Sequence, residues 1–210
     1  MPNMFLVPAN QLVKRPAGVT WEEGGGLFVA GTTAYAAVEA VTIKSDETLI
    51  VSGAAGGVGG IVVQLAKNLG ANVIGIASEH NHEWLQGHGI TPVSYEGDIR
   101  ANIEKALGGK KADTFIDTSG KGYVELAINM GIPADRINTI IDFEAVEKYK
   151  VKAAGSAAAA NAEVLGKLVE MIAGGELEIP IAKTYPLPAI KEAFTELEKR
   201  HTHGKIVLLP

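Results

Sequence analysis

Between residues 53 and 59 the chain reads Gly53-Ala-Ala-Gly56-Gly57-Val58-Gly59. This stretch directly follows an apolar β-branched run (residues 48–53, TLIVSG) and opens a segment of helical periodicity (residues 58–69, VGGIVVQLAKNL) that stops at Gly70. A buried strand, a glycine turn and a helix in that order leave few folds open. The glycines permit a tight turn and a close backbone approach, and the helix amino terminus offers unpaired N–H groups and the positive end of its dipole. Together these make a site for a dinucleotide pyrophosphate. Gly59 has a second task, because a side chain there would push the helix off the sheet. The spacing is Gly-x-x-Gly-x-x-Gly and not G-x-G-x-x-G, so the flanking strand and helix carry the assignment.

The same rhythm continues along the chain. Residues 72–77 (NVIGIA), 91–95, 112–117 (ADTFID), 136–141 (RINTII) and 149–153 read as further strands, and residues 99–107, 122–129 and 143–147 have helical spacing. Strands alternating with helices predict an α/β fold, a Rossmann doubly wound parallel sheet in the order 3-2-1-4-5-6 with its ligand at the carboxyl ends of the strands. The flanks fall outside this unit. Residues 5–13 and 204–209 (GKIVLL) read as strands, residues 189–200 as an amphipathic helix carrying Ile190, Phe194 and Leu197, and residues 157–173 as one long helix. Apolar strands do not stay unpaired, so the two flanking strands are expected to pair with each other or with a partner.

Composition narrows the function. Hydrophobic residues at 47% and charged residues at 20% describe a globular chain, and a formal charge of -5 argues against a nucleic-acid surface. The absence of cysteine excludes disulfides, thiolate zinc ligands and cysteine nucleophiles. His80, His82 and His88 lack carboxylates at ligand spacing, so no metal site is expected. The first thirteen residues, interrupted by Pro8 and Asn10, read as neither signal peptide nor membrane span, and a soluble cytoplasmic protein is the expectation.

The motif Gly53-Ala-Ala-Gly-Gly-Val-Gly-Gly60 followed by Gln64-Leu65-Ala66 resembles the medium-chain dehydrogenase/reductase superfamily, in particular its zinc-independent, zeta-crystallin-like quinone oxidoreductase branch. Pro8-Ala9-Asn10-Gln-Leu-Val-Lys14 with Pro16, Gly31-Thr32-Thr33-Ala34-Tyr35, residues 112–120 (ADTFIDTSG) and Gly204-Lys-Ile-Val-Leu208 are similar to other parts of the same family. Family members begin with a GroES-like catalytic domain of roughly a hundred residues or more. The resemblance therefore implies a division into residues 1–30 (remnant of a catalytic-domain strand and linker), 31–175 (Rossmann NADP-binding domain) and 176–210 (strand, helix and strand returning toward the catalytic domain). It also implies a homodimer joined through the sheet edge at residues 149–153.

For the cofactor, an acidic residue at the end of the second strand would select NAD(H) by bonding the ribose 2′-OH. Here that end is Ala77-Ser78, which leaves room for a 2′-phosphate. The resemblance places the phosphate contacts on Ser78, His82, Tyr95 and Arg200. His82 stands where the family often has lysine, so its charge near neutral pH depends on protonation upon binding. Glu79, about twenty residues past Gly59, is the opposing indication for NAD(H). NADP(H) is the expected cofactor, with Gly53, Ala55, Gly56, Gly57 and Val58 on the pyrophosphate.

Other positions carry two readings each. Thr33 and Tyr35 resemble the family's nicotinamide-side helix, and Tyr35 reads equally as a core aromatic. Thr118 and Ser119 put hydroxyls at the carboxyl-end crevice or simply form a turn. Ile140 and Asp142 end the fifth strand, where Asp142 also suits a helix cap. His201 and His203 read as solvated, and Glu192, Glu196, Glu198 and Lys199 as an exposed helix face. No catalytic acid, base or nucleophile stands out, which suits hydride transfer, where the cofactor carries the chemistry. The implied activity is transfer of hydride from NADPH to a quinone or activated enone. The competing reading is a nucleotide-binding or regulatory module without turnover.

Overall fold

Five runs of apolar residues assemble into one parallel sheet in the computed structural model, which describes residues 6–120, 122–199 and 202–210. β1 (Thr48–Ser52) is buried at every position and lies at the centre. It pairs in parallel with β2 (Asn72–Ala77) on one side and β4 (Thr114–Asp117) on the other. β3 (Thr91–Ser94) and β5 (Ile137–Thr139) complete the order β3-β2-β1-β4-β5. Alternate residues of β1 point to opposite faces, as the period of two requires. Leu49 and Val51 join the apolar cluster on one face and Ile50 the cluster on the other.

The first face is covered by α1 (Trp21–Val41), α2 (Gly59–Asn68) and α8 (Ala162–Ala173), through residues such as Leu27, Ile61 and Leu168. α4 (Ile99–Leu107), α5 (Tyr123–Asn129) and α6 (Phe143–Tyr149) cover the second face with Ile103, Val124 and Ala145 around Phe115. The short α3 (His82–Gly87) follows β2. α1 is 21 residues long despite three consecutive glycines, Gly24 to Gly26. A capping box starts it: Glu23 N–H donates to Thr20 Oγ1 at 3.1 Å and Thr20 N–H donates to Glu23 Oε2 at 2.7 Å.

Three expectations are corrected. The sixth strand does not form: residues 149–153 contribute only an isolated parallel bridge between Asn138 and Lys152. α6 ends in the left-handed conformation at Lys150 (φ 56°), so little chain remains to extend. The Asn138 side chain then takes over the next ladder positions, bonding Ala154 O at 3.1 Å and Ala154 N–H at 2.7 Å. The long helix divides into α7 (Ser156–Ala159) and α8, because the Asn161 side chain accepts from Val164 N–H at 2.9 Å and restarts the helix. Of the expected strand at residues 5–13, the part from residue 6 onward forms a 3₁₀ turn at Ala9–Gln11 and no strand.

The carboxyl-terminal strand, β7 (Lys205–Leu209), pairs in parallel with β6 (Ile181–Pro186), and α9 (Ile190–Glu198) connects them. The strand implied by the resemblance ahead of α9 is β6, which the hydrophobic pattern alone does not mark because Pro180, Pro186 and Pro188 surround it, and proline argues against a strand. Among the described residues, no helix is long and apolar enough to cross a membrane.

Candidate functional site

The turn after β1 is shaped by close backbone contacts. Gly53 adopts φ 64° and its carbonyl accepts from Gly56 N–H at 2.9 Å. A Cβ on Gly59 would lie 2.1 Å from Gly53 O, so the helix can sit this close to the strand only with glycine there. Among the described residues, no protein acceptor engages the N–H groups of Gly57, Val58 and Gly59. They stand at the start of α2, where a helix leaves its donors unpaired and its dipole favours an anion. The cradle fits the pyrophosphate of a dinucleotide.

Beside this turn, the carboxyl ends of β1, β4 and β5 are tied by one buried carboxylate. Asp117 Oδ1 accepts from Ser52 Oγ at 2.6 Å, Ser119 N–H at 3.1 Å and Gly120 N–H at 2.9 Å, and Oδ2 accepts from Thr139 Oγ1 at 2.8 Å. Both hydroxyls relay the order outward. Ser52 Oγ accepts from Thr118 N–H at 3.0 Å, and Thr139 Oγ1 accepts from Ile141 and Asp142 N–H at 3.2 and 3.0 Å. Thr118 Oγ1 donates to Ser52 O at 2.7 Å, against the glycine turn.

A third element closes the turn from outside. Gly204 N–H donates to Ala55 O at 3.0 Å and Gly204 bridges Gly56. Gly204 has φ 73°, and a Cβ on it would lie 2.0 Å from Pro180 O. This strap delivers Lys205, whose Cδ lies 2.7 Å from where a Gly57 Cβ would stand. The glycine therefore makes room for the lysine stem beside the free amides. Next along the strap, His203 is half-buried, with its ring edge against Trp84 at 4.8 Å between centroids. Burial pushes its pKa down, Glu178 opposes that, and His80 and His88 add to the lowering. The expectation of a solvated His203 is thus corrected.

These parts surround a cavity of about 1020 Å³ at the carboxyl ends of the strands. Of the residues expected to bind cofactor, Gly53, Ala55, Gly56, Gly57, Val58, Ser78, Tyr95, Thr118 and Ser119 line it. Thr33, His82 and Ile140 are not among its lining residues. The Thr33 hydroxyl donates to Val29 O at 2.6 Å, a His82 ring nitrogen lies 3.4 Å from Ala77 O, and Ile140 packs into the core. Arg200 and His201 lie outside the described residues. Tyr35 packs against the core, and Asp142 caps α6 by accepting from Ala145 N–H at 3.0 Å.

Sequence reasoning missed Asn81, Tyr123, Lys199 and Lys205 on the cavity wall. Tyr123 shares the cavity wall with Tyr95, and its pKa is raised by burial and then by Asp117 and Tyr95. Lys205 stands in the carboxyl-terminal motif and could have been found from its cation beside a glycine; Asn81 carries no such signal. Glu79 is exposed and does not line the cavity, and no carboxylate does among the described residues. No group of three or more histidine, aspartate or glutamate side chains that could hold a metal ion gathers among them either.

Comparison with known proteins agrees with this geometry. A family model described as zinc-binding dehydrogenase matches residues 95–208. The chain is similar to quinone oxidoreductase 1 of Escherichia coli (strain K12), 26% identical over 223 residues, covering 93% of this chain and 67% of that protein. It is 27% identical to a quinone oxidoreductase of Pseudomonas aeruginosa, covering 99% of this chain and 70% of that protein. Among solved structures, the quinone oxidoreductase from Coxiella burnetii superposes with a TM-score of 0.82 at 27% identity, covering 93% of this chain and 63% of that one. An NAD-dependent alcohol dehydrogenase superposes with a TM-score of 0.83 at 25% identity, over 97% of this chain and 63% of that one. The chain thus spans roughly two thirds of the length of the relatives it matches.

Proposed function

As the chain belongs to the zinc-binding dehydrogenase family, on the quinone oxidoreductase branch of the medium-chain dehydrogenase/reductase superfamily, we propose that it is the NADP(H)-binding part of an oxidoreductase acting on a quinone or activated enone. The observation that carries this reading is the glycine turn with three open amides, flanked at the end of β2 by a hydroxyl and by no carboxylate. A nicotinamide dinucleotide bound there supplies the hydride.

The chain's own residues bind and orient. The amides of Gly57, Val58 and Gly59 take the pyrophosphate, and the Lys205 ammonium adds a charge beside them. Ser78 and Tyr95 line the place for a 2′-phosphate, with His82 and Arg200 as the further contacts the family resemblance implies. Thr118 and Ser119 face the cavity from the end of β4. Thr33 and Ile140, off the cavity wall, are assigned to the nicotinamide end. The division at residues 30 and 175 and a homodimer joined through the sheet edge at residues 149–153 belong to the same proposal. Quinone oxidoreductase relatives support the electron acceptor.

Titration of intrinsic fluorescence with NADPH and NADH tests it. NADPH is expected to bind more tightly, and Arg200→Ala to weaken NADPH selectively, by roughly tenfold or more for one charge-assisted contact. A preference for NADH would mean that Glu79 reads a ribose hydroxyl and would overturn the assignment. Oxidation of NADPH with 1,4-benzoquinone, assayed alongside, separates turnover from binding alone.

A further inference from the structure

At the end of β2 the hydrogen bonds run in one direction. Asn81 is buried and lines the cavity. Its side-chain Nδ2 donates to Ser78 Oγ at 2.9 Å and lies 3.3 Å from Nε2 of His80. Its backbone N–H donates to Ser78 O at 2.9 Å, so both halves of Asn81 hold Ser78 in place. An amide nitrogen has two hydrogens and no acceptor. Here one of them meets Ser78 Oγ, with the imidazole nitrogen standing beside both groups. Nε2 of His80 lies at the same 3.3 Å from Ser78 Oγ, so the Ser78 hydrogen can turn either to that ring nitrogen or to the cavity. Having accepted from Asn81, the Ser78 hydroxyl keeps its own hydrogen to donate, and an ionised phosphate in the cavity is a stronger acceptor for it than a neutral imidazole.

We propose that Asn81 is a specificity-determining positioning residue, which presents Ser78 as a hydrogen-bond donor and thereby favours a 2′-phosphate over a free ribose 2′-hydroxyl. The inference rests on the dinucleotide-binding reading above and assigns its selectivity to an amide that makes no charge of its own. An ionised phosphate offers only acceptors and is bound by whatever donors face it, whereas a ribose hydroxyl is best held by an acceptor such as a carboxylate. Replacing the amide by a carboxylate of the same shape reverses the direction. Ser78 would then donate inward to the carboxylate, and a negative charge would stand where the phosphate belongs.

The test uses adenosine 2′,5′-bisphosphate and adenosine 5′-monophosphate as probes, titrated by calorimetry, because they differ only in the group in question. The wild type is expected to prefer the bisphosphate. In Asn81→Asp, bisphosphate affinity is expected to fall by at least about tenfold, with the monophosphate changed by less than about threefold. Asn81→Ala removes the donor without adding charge and guards against a carboxylate that prevents folding. It should lower the bisphosphate-to-monophosphate ratio in the wild-type background and leave it unchanged in Ser78→Ala. Equal losses for both probes, or an Asn81→Ala effect on the ratio that persists without Ser78, would overturn the inference and leave the dinucleotide reading standing. A wild type that prefers the monophosphate overturns the inference and the NADP(H) assignment with it.

Discussion

A Cβ at Gly59 would stand 2.1 Å from Gly53 O and 2.8 Å from Gly53 C. Both are backbone atoms at the junction of β1 and the turn, so no side-chain rotation can relieve the clash. Gly59→Ala is expected to cost about 1–3 kcal/mol or more, as overpacking does, and to abolish dinucleotide binding by displacing α2. Urea unfolding and a binding titration on the same sample check both. Asp117 makes a different kind of demand. It is fully buried, and it accepts from two hydroxyls and two amides. In Asp117→Asn, one acceptor becomes a donor. If that donor faces Thr139, it meets a hydroxyl that already accepts from Ile141 and Asp142 N–H, and one hydrogen is left unsatisfied. The expected cost is about 1–3 kcal/mol. A variant with an unchanged urea midpoint would show that the carboxylate does not order these strand ends.

Among the elements, α8 depends on a boundary that composition hides. Residues 157–160 are all alanine, a run that favours helix throughout, yet the helix stops and restarts at Asn161. The cap exists because the side-chain oxygen offers Val164 N–H a partner that continued helix would not need. Asn161→Ala is expected to destabilise the protein by about 0.5–2 kcal/mol, and Asn161→Ser to recover most of it. Equal thermal midpoints for wild type and the alanine variant would mean that the cap contributes nothing. β6 and β7 teach the converse. β7 is legible as an apolar run, but its partner lies among prolines, and only the crossover through α9 brings the two together.

For the whole molecule, the carboxyl-terminal strap joins the β6–β7 unit to the nucleotide turn, and the half-buried His203 packs it against Trp84. In the folded protein its pKa lies below the usual 6.5, chiefly because burial disfavours the charged form. Protons therefore bind the unfolded chain more readily. The stabilising contribution is present above about pH 6.5 and is lost as the pH falls through that value toward the folded pKa. Stability between about pH 7 and 5 should thus decline less steeply in His203→Phe than in the wild type. Denaturant midpoints across that range are the measurement, and parallel slopes would exclude His203 as a source.

The parallel sheet and its pyrophosphate turn were legible from local signals, since a doubly buried strand must be apolar throughout and a close strand-to-helix turn must be glycine. Residues 48–59 carry both conditions in twelve consecutive positions. What the tertiary structure decided concerns residues whose partners lie elsewhere. Asn138 satisfies Ala154 and so ends the sheet at five strands, and the Gly204 strap brings Lys205 to Gly57 from the far end of the chain. Asn81, three residues from Ser78, turns back on it because the chain bends sharply after β2. Hydrophobic periodicity records which side of an element is buried, but the direction of a hydrogen bond depends on which atoms the folded chain places face to face.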